Sequence, residues 1–235
     1  MTDHNVATRE EWLQARKALL AEEKEFTRAR DALSAKRRAL PWVRIDKPYR
    51  FEGDDGALTL SGLFGPKRQL IVYHFMFAPE WEKPCKSCSF WADGYNGVVA
   101  HLAERNTALV AVSRAPLEKL RARKQQMGWA FPWVSSGDGD FNYDFSVSFR
   151  DEDLKSRTAT YNYGQKQGSM TDLPGISTFV RDDDECVYHA YSTFARGLDL
   201  MNLAYNLLDL TALGRQEDGL PFSMSWVRLR DEYAA

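Results

Sequence analysis

An almost unbroken apolar run, LIVYHFMF at residues 70–77, constrains the fold of this chain more than any other feature. A run of this length without alternation predicts a strand that is buried on both faces of a sheet. Helical spacing of apolar residues follows over residues 88–105, then a second buried strand over 107–113 and a helix over 116–127. This order of elements predicts right-handed β-α-β crossovers around a parallel core.

The second half of the chain predicts a hairpin followed by a last helix. Residues 178–181 and 186–191 flank an acidic run at 182–185, which indicates a β-hairpin with a charged turn. A last helix is predicted over 198–213. Residues 131–172 are rich in Gly, Asp, Tyr and Ser and predict an irregular excursion with short strands. We therefore expect an α/β protein whose helices cover the faces of one sheet.

Residues 8–40 predict one long helix, with Thr8 as its N-cap and Pro41 at its end. Two arrangements of this helix stay open: it lies across its own domain, or it contacts a second copy of the chain. The predicted organisation is an N-terminal helical arm, residues 1–41, and a domain, residues 42–235, with a homodimer through the arm. The apolar residues of the arm recur at intervals of seven and form a narrow seam of Trp12, Leu19, Phe26, Leu33 and Leu40.

Composition limits the class of partner and the compartment. The 235 residues carry 31 Lys and Arg against 33 Asp and Glu, a formal net charge of −2. This near-neutral balance argues against a nucleic-acid partner, which usually requires a basic domain. The most apolar stretch, residues 70–78, is far shorter than the roughly 20 residues of a membrane helix. Because the N-terminus also lacks the apolar core of a signal peptide, we expect a cytoplasmic protein with no membrane partner.

The motif Cys85-Lys86-Ser87-Cys88 stands where the buried strand gives way to a helix, and it predicts redox chemistry. Backbone N–H groups at a helix start stabilise an anion, so the thiolate of Cys85 is expected to have a lowered pKa. Lys86 adds a positive charge in the same sense. Cys88, one helical turn further on, is the expected resolving thiol that forms a disulfide with Cys85. A C-x-x-C beside a β-α-β pattern is typical of redox proteins.

Two other interpretations of the cysteines stay open. Cys186 and His189 have C-x-x-H spacing, so with Cys85 and Cys88 they nominally supply four zinc ligands. However, residues 186 and 189 of a strand point to opposite faces, so we predict no metal site and no cofactor. In the other interpretation the motif cysteines only pack. Outside the motif, His74 is a candidate proton relay, although a hydrogen-bonded core histidine is the simpler interpretation.

Several long segments together carry a family resemblance. They are LIVYHFMFAPEWEKPCKSCSFWADGYNG, TALVAVSRAPLEKL, GWAFPWVSS, FNYDFSVSF and VYHAYSTFARGLDL, with the arm segment ARDALSAKRRALPW. Over nearly its whole length the chain resembles the bacterial family catalogued as domain of unknown function 899. The resemblance implies a fold similar to thioredoxin and the peroxiredoxins, with a sheet flanked by helices and a long N-terminal helical arm. It implies no particular reaction, because the biochemical role of the family is not established.

Two positions depart from the thioredoxin pattern. Thioredoxin-like proteins usually have a cis-proline just before the strand that faces the C-x-x-C, and Ser177 occupies the matching place here, while Pro174 lies earlier. Thioredoxins have Trp before the first cysteine, where this chain has Pro84, and Trp81 is near but not equivalent. These departures argue against a thioredoxin-like grip on the substrate backbone. The predicted supporting residues around Cys85 and Cys88 are Lys86, Ser87, Trp81, Ser177 and His74.

Three functions follow as hypotheses. The leading one is a cytoplasmic thiol–disulfide oxidoreductase, or a thiol peroxidase, that acts on protein or small-molecule thiols and disulfides through Cys85 and Cys88. The second is a non-catalytic thioredoxin-fold protein that binds a ligand or partner, with the aromatic-rich residues 129–145 holding the ligand. The third is a structural zinc protein.

Overall fold

The computed structural model describes residues 5–233, and the chain divides between Pro41 and Trp42 into two compact units. The first unit is one helix, α1, Arg9–Arg38. Thr8 caps it: the Thr8 hydroxyl accepts the Glu11 N–H at 3.3 Å, and the Glu11 carboxylate accepts the Thr8 N–H at 2.8 Å. This helix agrees with the sequence-based prediction for residues 8–40. No residue of α1 is buried.

The second unit holds the remaining helices and strands of the described residues. Its strands are β1 Val43–Arg44, β2 Arg50–Gly53, β3 Gly56–Thr59, β4 Gln69–His74, β5 Thr107–Ser113, β6 Trp133–Ser135, β7 Thr160–Tyr161, β8 Gly164–Gln165, β9 Gly175–Arg181 and β10 Val187–Phe194. Its α-helices are α2 Lys86–Ala92, α3 Val99–Glu104, α4 Leu117–Met127, α5 Phe141–Asp144, α6 Asp151–Ser156 and α7 Leu203–Leu208. Short 3₁₀ helices span Ser61–Phe64, Ala195–Met201 and Arg230–Glu232.

Within residues 5–233 the main sheet has eight strands in the order β1-β10-β9-β4-β5-β6-β2-β3. Strands β4, β5 and β6 are parallel, whereas β9 runs antiparallel to β4 and pairs with β10 as a hairpin. The core order β5-β4-β9-β10, with a helical crossover between β4 and β5, is the thioredoxin-like arrangement. The predicted fold class is therefore confirmed, and β4 lies inside the sheet, as its apolar run predicted.

The side chains of β4 alternate between two cores, one on each face of the sheet. Tyr73 packs with the helices that follow β4 and β5, whereas Leu70 and Val72 pack on the opposite face. The first core also includes Phe75, Cys88, Trp91, Trp129 and Trp133, and the second includes Phe51, Val110, Phe141 and Phe179.

Two predicted helices are shorter than expected. The helix predicted over residues 88–105 is interrupted between α2 and α3, where Gly94 and Gly97 weaken helical continuation. The helix predicted over 198–213 is a 3₁₀ turn followed by α7, Leu203–Leu208. The break lies at Asn202, whose backbone is extended and whose side chain accepts the N–H of Tyr205 at 2.9 Å. A local cap therefore overrides the apolar periodicity.

The hairpin is longer than predicted, because β9 begins at Gly175 and not at residue 178. Only glycine fits at this position, since a Cβ on Gly175 would lie 2.8 Å from the Phe194 ring. The excursion over residues 131–172 also contributes β6 to the main sheet, a strand of only three residues that follows Pro132. Within the described residues, no helix has the length and apolar character needed to cross a membrane.

Candidate functional site

Cys85 lies at the carboxyl-terminal edge of the parallel strands, directly before α2. The chain leaves β4 at His74, and the N–H of Cys85 returns to donate to the Met76 carbonyl at 3.1 Å. The Cys85 carbonyl then accepts the N–H and the hydroxyl of Ser89, both at 3.0 Å. These backbone bonds fix the cysteine as the N-cap of α2, where the sequence predicted it.

The sulfur of Cys85 sits in a ring of hydrogen-bond donors. The N–H of Cys88 donates to Cys85 Sγ at 3.4 Å. The hydrogen bond from the Cys88 thiol, together with those from the N–H groups of Cys88 and Ser87 and the Ser87 hydroxyl, lowers the pKa of Cys85 to about 7, against the opposing effect of burial. Cys85 remains half-buried and reachable from solvent. It therefore has the properties of a nucleophilic thiolate at neutral pH.

Cys88 has the opposite environment. It is 2 % exposed, and its carbonyl accepts the Tyr73 hydroxyl at 3.2 Å. Burial raises the pKa of the Cys88 thiol well above its ordinary value, and the hydrogen bond to Cys85 and the negative charge of that thiolate act in the same direction. The pair thus combines an accessible thiolate with a buried, protonated thiol.

A cavity of about 360 Å³ opens beside the two sulfurs. Its polar groups are mostly engaged with one another: the Trp91 indole N–H donates to the Leu198 carbonyl at 2.8 Å, and Arg196 pairs with Asp199 at 2.6 Å. The rest of the wall is mostly apolar and includes Met76, Met170, Leu173, Pro174, Leu198 and Met224. The cavity therefore offers apolar contact next to a reactive sulfur.

A model of a family described as bacterial protein of unknown function (DUF899) matches residues 1–233. The chain belongs to this family. No curated protein matches the sequence. The assignment thus confirms the resemblance that the sequence segments indicate.

Several solved peroxiredoxins resemble the chain at low identity. The peroxidoxin BcpB of Mycobacterium tuberculosis has a TM-score of 0.45 and 16% identity, over 69% of this chain and 92% of that one. A mutant of Xanthomonas campestris peroxiredoxin Q has a TM-score of 0.45 and 16% identity, over 67% of this chain and 90% of that one. The mitochondrial 2-Cys peroxiredoxin of Plasmodium falciparum has a TM-score of 0.40 and 13% identity, over 69% of this chain and 90% of that one. At this level of similarity these structures say nothing about which residues react in the present family.

Three of the predicted supporting residues lie near the cysteines. Ser87 lines the cavity and donates toward Cys85. The Lys86 amine donates to the Ser225 carbonyl at 3.2 Å, so it ties the C-terminal segment to α2. Trp81 is half-buried against the same core as Cys85, and its carbonyl accepts the Lys119 amine at 2.9 Å. These two contacts of Trp81 hold the loop that leads to the motif in place.

His74 and Ser177 lie on the other face of the sheet, away from the cysteines. His74 Nε2 and Ser177 Oγ are 2.8 Å apart, Ser177 Oγ lies 2.8 Å from Ser192 Oγ, and Ser192 Oγ lies 2.7 Å from His189 Nε2. The His74 ring also packs against Phe145. His74 is thus a hydrogen-bonded core histidine, the simpler of its two interpretations, and the place given to Ser177 opposite the motif is corrected: β4 and β9 turn both side chains toward the second core.

Two elements of the site were missed by the sequence reasoning. Pro174, directly before β9, faces the cysteine cavity, in the place that the prediction gave to Ser177. Residues 5–233 contain no cis peptide bond. Arg114, which follows β5, forms a buried pair with Asp172 at 2.6 Å and so anchors the segment that carries Leu173 and Pro174. Had the predicted strand begun at residue 175 and not at 178, Pro174 would have been the residue directly before it. The contact between Arg114 and Asp172 joins distant parts of the chain, so no short stretch of sequence indicates it.

Cys186 lies far from the motif. It is in the β9–β10 turn, near the beginning of β4, and its N–H donates to the Asp182 carboxylate at 2.8 Å. Cys85 lies beyond the other end of β4, a strand of six residues that spans roughly 17 Å. A β-bulge lies between His189 and Tyr191, and His189 Nε2 lies 2.7 Å from Ser192 Oγ. In the described part of the chain, no group of three or more His, Cys, Asp or Glu side chains is placed to hold a metal.

Four aromatic residues of the segment 129–145 lie in the core. Trp129, Phe131, Trp133 and Phe141 are each at most 3 % exposed. The Trp133 indole N–H donates to Ser113 Oγ at 2.9 Å, and its ring lies 4.5 Å from that of Phe75. These four side chains therefore serve packing, whereas Asp144 and Phe145 of the same segment line a separate cavity of about 310 Å³, and the ligand-binding role stays a prediction.

Proposed function

We propose that this protein is a thiol–disulfide oxidoreductase in which Cys85 is the nucleophile and Cys88 the resolving thiol. The observation that supports it is the asymmetry of the pair: one half-buried thiol with donors around its sulfur and a lowered pKa, beside one buried thiol with a raised pKa. Nucleophile and resolving residue need these opposite properties.

The reaction balances with a substrate disulfide and an external dithiol reductant. The Cys85 thiolate attacks one sulfur of the substrate, so a mixed disulfide forms and the other substrate sulfur leaves as a thiolate. Cys88 then attacks Cys85 Sγ, the second substrate sulfur leaves, and the Cys88 proton passes to it. The first substrate thiolate takes a proton from solvent, so the products are a Cys85–Cys88 disulfide and two substrate thiols. The dithiol reductant restores the pair by the same exchange and is itself oxidised.

The environment of Cys88 suits this sequence of steps. Two of the causes that raise its pKa, the hydrogen bond to Cys85 and the charge of the Cys85 thiolate, disappear when Cys85 is in a mixed disulfide. Cys88 therefore loses its proton more easily only after the first step. This order keeps Cys88 protonated, and so unreactive toward substrate, in the reduced protein.

The cavity supports a substrate with an apolar group next to its disulfide. Its wall is mostly apolar, and the indole N–H of Trp91 and the Nε–H of Arg196 already donate to protein partners. The apolar wall favours a disulfide with an apolar substituent as the substrate.

The test is stoichiometric oxidation of the reduced full-length protein by diphenyl disulfide and, separately, by the polar glutathione disulfide. We expect two thiophenol molecules per chain, a Cys85–Cys88 disulfide in the peptide map, and faster reaction with the diphenyl compound. Leu173→Asn should reduce that preference, whereas the matched surface variant Leu207→Asn should not. Oxidation that leaves Cys85 and Cys88 unbridged would overturn the proposal.

A further inference from the structure

The apolar seam of α1 is exposed along its whole length. No residue of the helix is buried, although 30 residues at 1.5 Å each make it about 45 Å long. An exposed apolar row of this extent usually marks an interaction surface. The exposed fractions are 49 % for Trp12, 50 % for Leu19, 66 % for Phe26, 48 % for Leu33 and 45 % for Leu40.

The apolar positions of the seam are spaced symmetrically about its central residue. Its members are seven residues apart, the spacing of helices that pair along their length. Phe26 is at the centre, so a second helix turned end for end would place Leu19 against Leu33 and Trp12 near the end of the partner helix, which Leu40 follows. A surface that matches itself in this way suits a two-fold contact between identical chains.

Charge selects the antiparallel arrangement. Residues 9–25 hold five acidic and four basic side chains, a net charge of −1, whereas residues 27–38 hold one acidic and five basic side chains, a net charge of +4. Parallel helices would set the two +4 halves side by side. Antiparallel helices set each +4 half against a −1 half, which removes most of this repulsion.

The rows beside the seam allow close approach but limit affinity. Ala15, Ala18, Ala29 and Ala32 leave room for a neighbouring helix. Glu22 and Lys36, by contrast, are charged residues at positions three residues after a seam residue, where a strong coiled coil has a second apolar row. We therefore propose that α1 binds α1 of a second copy in an antiparallel pair that crosses at Phe26 and dissociates on dilution.

Disulfide trapping tests the orientation in the full-length chain. In a background with Cys85, Cys88 and Cys186 replaced by Ser, Leu19→Cys and Leu33→Cys proteins are mixed and oxidised. Because a disulfide requires Cα atoms within about 7 Å, the antiparallel pair predicts a cross-link between the two variants and none within Leu19→Cys alone. A Leu19→Cys homodimer would overturn the antiparallel arrangement.

Sedimentation of the otherwise natural chain tests the contact without any added cysteine. Phe26→Glu places a charge at the crossing point and should reduce the mass from two chains to one. Ala21→Glu adds the same charge on the opposite side of α1, so it should leave the dimer intact. A natural chain that stays monomeric at all concentrations, or a Phe26→Glu protein that stays dimeric, would overturn the proposal. Neither result depends on the redox activity.

Discussion

The two faces of strand β4 differ in how their polar groups are used. On one face, Tyr73 donates to the carbonyl of Cys88, and the neighbouring Cys85 sulfur remains half-buried beside a cavity. On the other face, His74 begins a chain of side-chain hydrogen bonds that runs through Ser177 and Ser192 to His189. Adjacent residues of one strand thus serve a reactive site and a closed network.

The difference shows that a polar residue near a motif in sequence need not belong to its chemistry. His74 is 1 % exposed, and burial lowers its pKa to about 3, so it remains neutral at ordinary pH. Its Nδ1 is buried with no hydrogen-bond partner in the described structure, and a second proton there would lack an acceptor. The network on this face contributes to stability and specificity of packing, whereas the cysteine face carries the proposed reaction.

The largest expected effect is loss of disulfide reduction in Cys85→Ser. The variant removes the proposed nucleophile, so turnover of diphenyl disulfide with a dithiol reductant should fall to the uncatalysed rate. Cys88→Ser should instead accumulate a mixed disulfide on Cys85, because the second exchange is blocked. Cys186→Ser is the control and should retain full turnover, since Cys186 lies at the other end of β4. Turnover that survives Cys85→Ser would place the chemistry elsewhere.

The second prediction concerns the pH dependence of stability. The pKa of His74 is depressed in the folded state, so between its unfolded value near 6.5 and about 3 the unfolded chain binds a proton that the folded chain does not. The free energy of unfolding should therefore fall as pH falls through this window, by about 1.4 kcal/mol per pH unit. His74→Gln keeps a donor for Ser177 and cannot titrate, so denaturant unfolding should show a shallower slope.

The matched control is His101→Gln, a substitution of an exposed histidine, which should leave the slope unchanged. His189, whose pKa burial also lowers, accounts for part of the slope that remains in His74→Gln. Disulfide turnover of His74→Gln at neutral pH should equal that of the natural chain. A large loss of turnover in a folded His74→Gln protein would contradict the claim that the His74 face of β4 takes no part in the reaction.

The smallest expected effect tests how the cavity wall is held. Arg114 donates two hydrogen bonds to the Asp172 carboxylate, at 3.0 and 2.6 Å, and lysine cannot reproduce this fork. Arg114→Lys should loosen the wall at Leu173 and raise KM for diphenyl disulfide about tenfold, which corresponds to roughly 1.4 kcal/mol, with kcat little changed. Arg150→Lys, at an exposed pair with Asp140, is the control. Equal effects in both variants would contradict the positioning role of Arg114.

The elements of the fold that the sequence predicted are those with a strong local signal. The apolar runs at 70–77 and 107–113 correspond to β4 and β5, and Thr8 and Pro41 bound α1 closely. The interrupted helices were not predictable from apolar spacing, because the breaks depend on glycines and on the Asn202 cap. Strand β6 is too short to give a pattern of its own and exists because β5 and β2 flank it.

For the candidate site, the sequence predicted the motif and its place before a helix but not the surrounding wall. Cys85 and Cys88 are local to α2, so their position follows from short-range order. Ser177 was misplaced because the start of β9 depends on contact between Gly175 and Phe194, residues on different strands. Arg114 and Asp172 meet across 58 residues of chain, and no single-sequence pattern reports such a contact.

The most direct test of the account is the pH profile of alkylation at each cysteine of the reduced protein, measured by iodoacetamide labelling and mass spectrometry. The donors around Cys85 Sγ predict that its labelling rises with pH to a midpoint near 7 and then levels off, because the thiolate fraction is then complete. Cys88, with its raised pKa, should stay unlabelled over the same range. A Cys85 rate that still climbs without a plateau well above neutral pH, or labelling of Cys88 at the same rate, would contradict the proposed division of roles.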